Sequence, residues 1–328
     1  MTDSLRQIWD SHARGLILVA TIAGASMFLA QHYGAPVMLF ALLIGMAFHF
    51  LSDTPGCAAG VDFAAKTLLR AGVALLGLRL TLEDVERVGA GPGLAVVGFV
   101  LATLACGAAL SRLAGRRMAF GLLAGGSVAI CGASAALAIA AVLPTNPRRE
   151  QDTLFVVVGV TALSTVAMVA YPVLFRALGL DDAQAGFLVG ATIHDVAQVV
   201  GAGYSISEEA GVLATFVKML RVALLPVVLL LVMWSFRDAR SAPIRLPWFL
   251  TAFLVLAVLA NTGLVPAPAL DALADLSRAC LVLAISALGV RTSLAAMAQV
   301  QPAYGAILVA LTLFLLAIAT SFILLAGV

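Results

Sequence analysis

Apolar runs long enough to cross a bilayer follow one another along almost the whole chain. Nine are uninterrupted, and they lie at about 15–31, 36–52, 63–80, 92–111, 153–176, 211–234, 248–264, 273–290 and 303–325. A transmembrane helix needs about 20 predominantly apolar residues. The chain is therefore predicted to be an all-α polytopic membrane protein with about ten or eleven transmembrane segments.

The composition agrees with this reading and excludes several classes of protein. Only 11% of the residues are charged, against roughly 25% in a soluble domain. No long polar insertion occurs, so residues 1–328 are predicted to form one integral membrane domain whose main partner is the lipid bilayer. A net charge of +2 gives no reason to expect a nucleic-acid partner. The four scattered cysteines and the absence of a Walker A motif predict no disulfide framework, zinc site, other cofactor or direct use of ATP.

Basic residues in the short loops orient the chain. They cluster in three groups at Arg6 and Arg14, at 112–117, and at 237–245. The positive-inside rule places all three groups in the cytoplasm, together with an uncleaved N-terminus. The acid-rich loops at 81–87 and 205–211 then face outward.

Two further apolar segments, 118–143 and 183–204, are interrupted by Gly, Ser, Thr and ionisable residues. If both cross the membrane fully, Arg148 and Arg149 fall outside. If both are re-entrant and return to their own side, this pair joins the cytoplasmic arginines. We favour broken or re-entrant helices, although the charge rule discriminates through this one loop only.

The interrupted segments resemble each other, as GLLAGGSVAICGASA (121–135) and GFLVGATIHDVAQVV (186–200). A second similarity aligns Arg79 in ALLGLRLTLEDV with Arg291 in SALGVRTSLAAM. Inverted repeats with paired discontinuous helices are typical of secondary transporters. We therefore predict weak inverted repeats at roughly 15–150 and 153–325. The order of the motifs does not fit a tandem duplication, and shared Gly/Ala composition is the alternative explanation.

A helix broken within the membrane exposes N–H groups and a positive dipole end that attract anions. Glycines and hydroxyls at the breaks would let a small oxyanion approach, and Cys131 and Gln198 would share the lining. The predicted substrate-binding residues at the breaks are Gly125, Gly126, Ser127, Cys131, Gly132, Ser134, Thr192 and Gln198. Gly190, at the second break, would likewise let a ligand approach the backbone.

Four ionisable residues lie at membrane depth, where such groups usually mark a pathway or relay. His194 and Asp195 are predicted to carry a coupling proton. Lys218 and Arg221, three residues apart on one helix face, are predicted to bind the anion, to neutralise Asp195, or to alternate between the two. The alternative for Asp195 is a purely structural ion pair. Arg79 and Arg291 are read as last-turn cations that complement helix dipoles.

At GGSVAICGASAALAIA, GATIHDVAQVVGAGYS and FVKMLRVALLP the chain resembles the YeiH-type family of bacterial inner-membrane proteins, proposed sulfate exporters. The resemblance extends over most of the chain. It implies a plasma-membrane transporter with inverted repeats that exports sulfate or a related sulfur oxyanion, and dimers are common among such folds. In this chain GGSVAICG reads as one residue longer than the matching pattern of the other half, which leaves open whether Gly126 or Ser127 takes the matching role.

The predicted function is thus a non-enzymatic secondary transporter that moves a small oxyanion with a proton or sodium ion, and the resemblance implies that it is an exporter. One alternative is a sodium/proton exchanger with Asp195 as ion ligand. Another is an intramembrane thiol enzyme with Cys131 as nucleophile and His194 as base. A structural or receptor role is the third alternative.

Overall fold

The computed structural model describes residues 2–33, 36–52, 54, 56–82, 89–144, 149–236, 247–292 and 302–326. The described residues are helical apart from short connections. The α-helices are α1 (Thr2–Tyr33), α2 (Val37–Ala47), α3 (Ala58–Phe63), α4 (Leu69–Leu76), α5 (Ala90–Leu113), α6 (Met118–Ala129), α7 (Ala133–Val142), α8 (Arg149–Ala177), α9 (Asp182–Thr192), α10 (Val196–Ile206), α11 (Glu208–Ala223), α12 (Leu225–Ser235), α13 (Trp248–Asn261), α14 (Ala267–Arg291) and α15 (Pro302–Ala326). A π-helical turn, Ala64–Leu68, joins α3 to α4, and a 3₁₀ turn, Gly77–Arg79, follows α4.

Polar caps set where several helices begin. The Asp181 carboxylate accepts the backbone N–H of Gln184 in a capping box at the start of α9. The Ser207 hydroxyl accepts the N–H of Ala210 at the start of α11. Helices such as α8 and α11 therefore begin several residues before the apolar runs at 153 and 211, in polar turns that hydropathy does not detect.

In the part of the chain that the structure describes, six helices are long and apolar enough to cross a membrane: His12–Tyr33, Gly91–Leu113, Arg149–Ala177, Glu208–Ser235, Ala267–Arg291 and Gly305–Leu325. The all-α polytopic prediction is confirmed. Contacts between helices define two ends of the structure. The arginine end carries the last turn of α5 with Arg112, and the first turn of α8 with Arg149. The glutamate end carries Glu208 and the last turn of α8, where Arg176 donates to the Ile206 carbonyl at 3.2 Å.

The helices α9 and α10 form a hairpin that enters from the glutamate end and returns to it. Gly186 and Gly190 of α9 lie against Ala210 and Ala214 of α11, so α9 runs parallel to α11. In contrast, Gly203 of α10 lies against residues 210–214, and α10 runs antiparallel to α11. The two short helices are therefore antiparallel to each other. We call this pair hairpin 2.

The helices α6 and α7 form the corresponding hairpin at the arginine end, called hairpin 1. Gly121 of α6 packs against Gly107 and Ser111, which makes α6 antiparallel to α5. Ala140 and Ala141 of α7 lie beside the start of α8, and Gly132 faces Val160, so α7 runs antiparallel to α8. Arg149 thus lies at the same end as Arg112, as expected for re-entrant segments. Arg148 and residues 237–245 fall outside the described residues.

Two helix bundles lie side by side. Bundle 1 contains α1 to α4, α13 and α14, and bundle 2 contains α5 to α12 and α15, because the helices of each group pack chiefly among themselves. Within bundle 1, α4 and α14 are antiparallel: Ser277 donates to the Gly72 carbonyl at 2.7 Å, and Arg291 pairs with Asp62. The predicted inverted repeat remains a prediction, although each of its proposed element pairs runs in opposite directions.

Candidate functional site

The tips of the two hairpins meet in the middle of the protein. Hairpin 1 turns at 130–132 and hairpin 2 at 193–195. A Cβ atom added at Gly132 would lie 3.5 Å from His194 Cβ. Gly132 has φ +60° and ψ −122°, a conformation that favours glycine because it has no side chain. Both turns are thus placed at the same depth, between α8 and α11.

Lys218 of α11 holds the two tips together. Its Nζ donates to the backbone carbonyls of Ile130 (2.5 Å), Ile193 (2.9 Å) and His194 (2.5 Å). An ammonium group has three N–H donors, so all of them are engaged by backbone. The side chain is fully buried.

Arg221 makes a similar set of contacts one turn further along α11. Its Nε donates to the carbonyl of Ala129, and Nη2 donates to that of Val128, at 2.8 and 2.7 Å. Its Nη1 donates to Gly190 and Ile193 at 3.0 and 2.8 Å. Both cations therefore bind the C-terminal carbonyls of α6 and α9, where the helix dipoles are negative.

This arrangement leaves the opposite dipole ends for another partner. The N-termini of α7 and α10 also lie at the tips and carry partial positive charge and N–H groups without intrahelical acceptors. Among the described residues, neither Lys218 nor Arg221 forms an ion pair with Asp195. The structure assigns the two cations to the hairpin tips, whereas their predicted contact with a substrate remains a prediction.

Asp195 caps α10. Its Oδ1 accepts the N–H of Ala197 at 2.9 Å, and its own N–H donates to Ser164 Oγ at 3.0 Å. No partner from the described part of the chain binds the other carboxylate oxygen. Asp195 also lines a cavity, so this carboxylate can be reached from it.

That cavity, about 630 Å³, lies between the two bundles. Its inner end is formed by the two hairpin tips, through Cys131, Ser134, Asp195, Val196 and Ala197. Bundle 1 contributes Arg291 at the arginine end, Lys66 in the π-helical turn, and Arg70 one turn further along α4. Other lining residues include Thr161, Thr165, Trp248, Phe249 and Thr292. The cavity thus has basic walls and ends at two helix N-termini.

His194 faces away from this cavity. Its Nε2 lies 2.9 Å from Thr312 Oγ1 of α15, and Thr312 itself donates to the Leu308 carbonyl. The hydroxyl proton of Thr312 is therefore used, and Nε2 carries the proton that joins His194 to Thr312. The Nδ1 atom is buried, and no described residue forms a hydrogen bond with it. A proton relay through His194 would have to run towards α15.

Most of the other predicted binding residues pack the hairpins. Ser127 and Thr192 donate to the carbonyls of Leu123 (2.5 Å) and Leu188 (2.6 Å) in the preceding turn. Close helix crossings explain three glycines: an added Cβ would meet Thr103 O at Gly125, Ile139 at Gly126 and Ala214 O at Gly190.

Gln198 is buried, and its Nε2 donates to Thr165 Oγ1 at 2.8 Å. Of the predicted residues, Cys131, Ser134 and Asp195 line the cavity. Cys131 and His194 share no hydrogen bond in the described structure. In the same residues, no cluster of three His, Cys, Asp or Glu side chains could hold a metal ion.

Sequence reasoning missed the partners that come from distant helices. Thr312 and Ser164 lie in apolar helices with no local motif. Lys66 and Arg70 carried a detectable signal, since both are cations inside the apolar segment 63–80.

The sequence is similar to those of known membrane proteins. A sequence model of the family described as conserved hypothetical protein 698 matches residues 14–304. The chain is 50% identical to a UPF0324 membrane protein of Chlorobaculum tepidum, across 94% of this chain and 88% of the relative. It is 48% identical to the UPF0324 membrane protein TauZ of Paracoccus denitrificans, across 92% and 91%.

A UPF0324 membrane protein of Rhizobium meliloti is 46% identical, across 95% of this chain and 92% of the relative. No solved structure matches the chain. The similarity to the YeiH-type family that the motifs indicated is confirmed. The chain belongs to the family described as conserved hypothetical protein 698, whose members include the UPF0324 membrane proteins.

Proposed function

We propose that this protein is a secondary transporter that carries a small oxyanion, with sulfate as the first candidate. The observation that carries the proposal is the position of the N-termini of α7 and α10 at the inner end of a basic cavity. Half-helices that meet near the bilayer midplane form the substrate sites of many secondary transporters.

The anion would bind to N–H groups of the hairpin tips. The first turns of α7 and α10 supply donors and positive dipole ends, and the Ser134 hydroxyl supplies a further donor. Lys66, Arg70 and Arg291 would attract the anion into the cavity by charge. Lys218 and Arg221 would act indirectly, because they fix the carbonyl ends of both hairpins.

Asp195 would couple transport to a proton. A carboxylate at the N-terminus of α10 repels an oxyanion, and protonation removes that charge. The titratable groups that line the same cavity are Lys66, Arg70, Arg291 and Cys131. Proton and anion would then occupy the site together, which gives cotransport in one direction.

The proposed orientation rests on the basic residues. The arginine end carries Arg112, Arg116, Arg117 and Arg149, so by the positive-inside rule it would face the cytoplasm from a bacterial plasma membrane. The cavity would then be open to the cytoplasm and positioned to receive an anion for export. A homodimer in the membrane remains part of the proposal.

A second candidate is sodium/proton exchange at Asp195. Lys218 and Arg221 lie nearby and would repel a cation, but both donate their hydrogen bonds to backbone carbonyls. A cation could therefore approach Asp195, with Thr161 and Thr165 in the same cavity wall.

The test is transport by the purified protein in proteoliposomes. Labelled sulfate, sulfite and sodium are each supplied with and without a pH gradient, and empty liposomes give the background. Saturable oxyanion transport that follows the pH gradient would support the first proposal. Sodium flux that follows the gradient, with no oxyanion flux, would replace it with the second.

A further inference from the structure

A three-residue ion-pair cluster joins the two bundles at the glutamate end. Glu208, the first residue of α11, pairs with Arg79 at the end of the 3₁₀ turn after α4. It also accepts two hydrogen bonds from Arg278 Nη2 of α14, at 2.6 Å (Oε1) and 2.5 Å (Oε2). Glu208 belongs to bundle 2, and both arginines belong to bundle 1.

The same end of the protein is closed by packing beneath this cluster. A Cβ atom added at Gly201 of α10 would lie 3.5 Å from Ile285 of α14, so hairpin 2 contacts bundle 1 there. The ring of Tyr204 packs against the backbone of Gly211, leaving no room for a Cβ atom. The cavity lining does not include Gly201, Tyr204 or Ile285.

The arginine end shows the opposite pattern. In the described residues its ion pairs are Asp62 with Lys66 and Asp62 with Arg291, and both stay within bundle 1. The cavity opens between the bundles at this end, where no described ion pair links them.

We propose that Arg79, Glu208 and Arg278 form the outer gate of the transporter, holding the bundles together while the cavity is open at the arginine end. This inference rests on the proposed function, since a carrier must open its site to the other side. Helix α10 of hairpin 2 joins α11 at Ser207, next to Glu208. A displacement of hairpin 2 away from bundle 1 would therefore break these ion pairs.

The exposure of the cluster suits a reversible contact. The side chains of Arg79, Glu208 and Arg278 are 27%, 44% and 55% exposed. Ion pairs that are exposed to this much solvent are individually weak. A shared carboxylate between two guanidinium groups can therefore hold the closed state and still open within a transport cycle.

The test uses Cys131, the natural thiol at the inner end of the cavity. Cys57, Cys106 and Cys280 are replaced by Ser, and a membrane-impermeant thiol reagent is applied to vesicles of either orientation. With Glu208 intact, we expect Cys131 to react from the arginine-end side only. Glu208→Gln, and the double variant Arg79→Ala with Arg278→Ala, are expected to raise the reaction from the other side several-fold.

Asp182→Asn is the matched control, since Asp182 is an exposed carboxylate in the first turn of α9 at the same end of the protein. Should the Gln variant fail to fold, Glu208→Asp keeps the charge with a shorter reach and is expected to give an intermediate rate. Unchanged labelling from both sides in the gate variants would overturn the proposal. Labelling of Cys131 does not require a transported substrate, so it separates failure of the gate proposal from failure of the sulfate-transport proposal.

Discussion

At the residue scale, the distribution of hydrogen bonds separates the charged residues of the site into two roles. Lys218 and Arg221 donate hydrogen bonds to backbone carbonyls, whereas the Asp195 carboxylate remains accessible from the cavity. From sequence alone, all three were recognisable as intramembrane charges with a purpose. The partner that each would take was not recognisable, because the carbonyls bound by Lys218 and Arg221 lie 24 to 93 residues away along the chain.

Asp195→Asn tests the coupling role. The amide is close in size and can still accept the N–H of Ala197, so hairpin 2 should keep its structure. We expect sulfate exchange between equal internal and external pools to continue, while accumulation driven by a pH gradient falls to background. The measurement is labelled-sulfate uptake in both modes. Equal gradient-driven uptake by wild type and variant would contradict the assignment.

Lys218→Met is expected to destabilise the protein. Three buried carbonyls would lose their donor, and each such group costs about 1–3 kcal/mol. Thermal unfolding in detergent should therefore occur several degrees lower. Lys66→Met, in the cavity wall and exposed, serves as the control and should weaken anion uptake with little change in melting temperature. The opposite pattern would make Lys218 a substrate ligand after all.

At the element scale, the interruptions in two apolar segments were the clearest signal for the hairpins. Gly, Ser and the ionisable residues indicated broken helices, and the position of Arg149 now agrees with re-entrant geometry. The same glycines were misleading in detail. Gly125 and Gly190 permit helix crossings that depend on α5 and α11, and a single segment does not encode those neighbours.

Gly132→Ala should disturb hairpin 1 specifically. The space around an added Cβ is adequate, at 3.5 Å or more, but φ of +60° with ψ of −122° strains any residue with a side chain. Such strain costs about 1–3 kcal/mol and would tilt the N-terminus of α7. We expect a higher apparent KM for sulfate. Gly91→Ala, where an added Cβ meets nothing within 4 Å, is the control and should match wild type.

At the scale of the whole molecule, hydropathy predicted the all-α polytopic class correctly. Of the ten or eleven segments expected, six correspond to described helices long and apolar enough to cross a membrane, and the others are shorter helices or hairpin arms. The division into two bundles was not predictable, because bundle 1 combines helices from both ends of the sequence. The cavity between the bundles brings together Lys66, Cys131, Asp195 and Arg291, which no sequence window contains. Long-range packing of α4 against α14 creates that arrangement.

The most direct test of the account asks whether an oxyanion binds at the hairpin tips. Cys131 lines this site, so a bound anion should shield its thiol. In the variant that retains only Cys131, the rate of modification by a small thiol reagent is measured with increasing sulfate, and with chloride at matched ionic strength. We predict that sulfate slows the reaction in a saturable way and that chloride does not. Identical rates in the two salts at every concentration would contradict a sulfate site between the two hairpins.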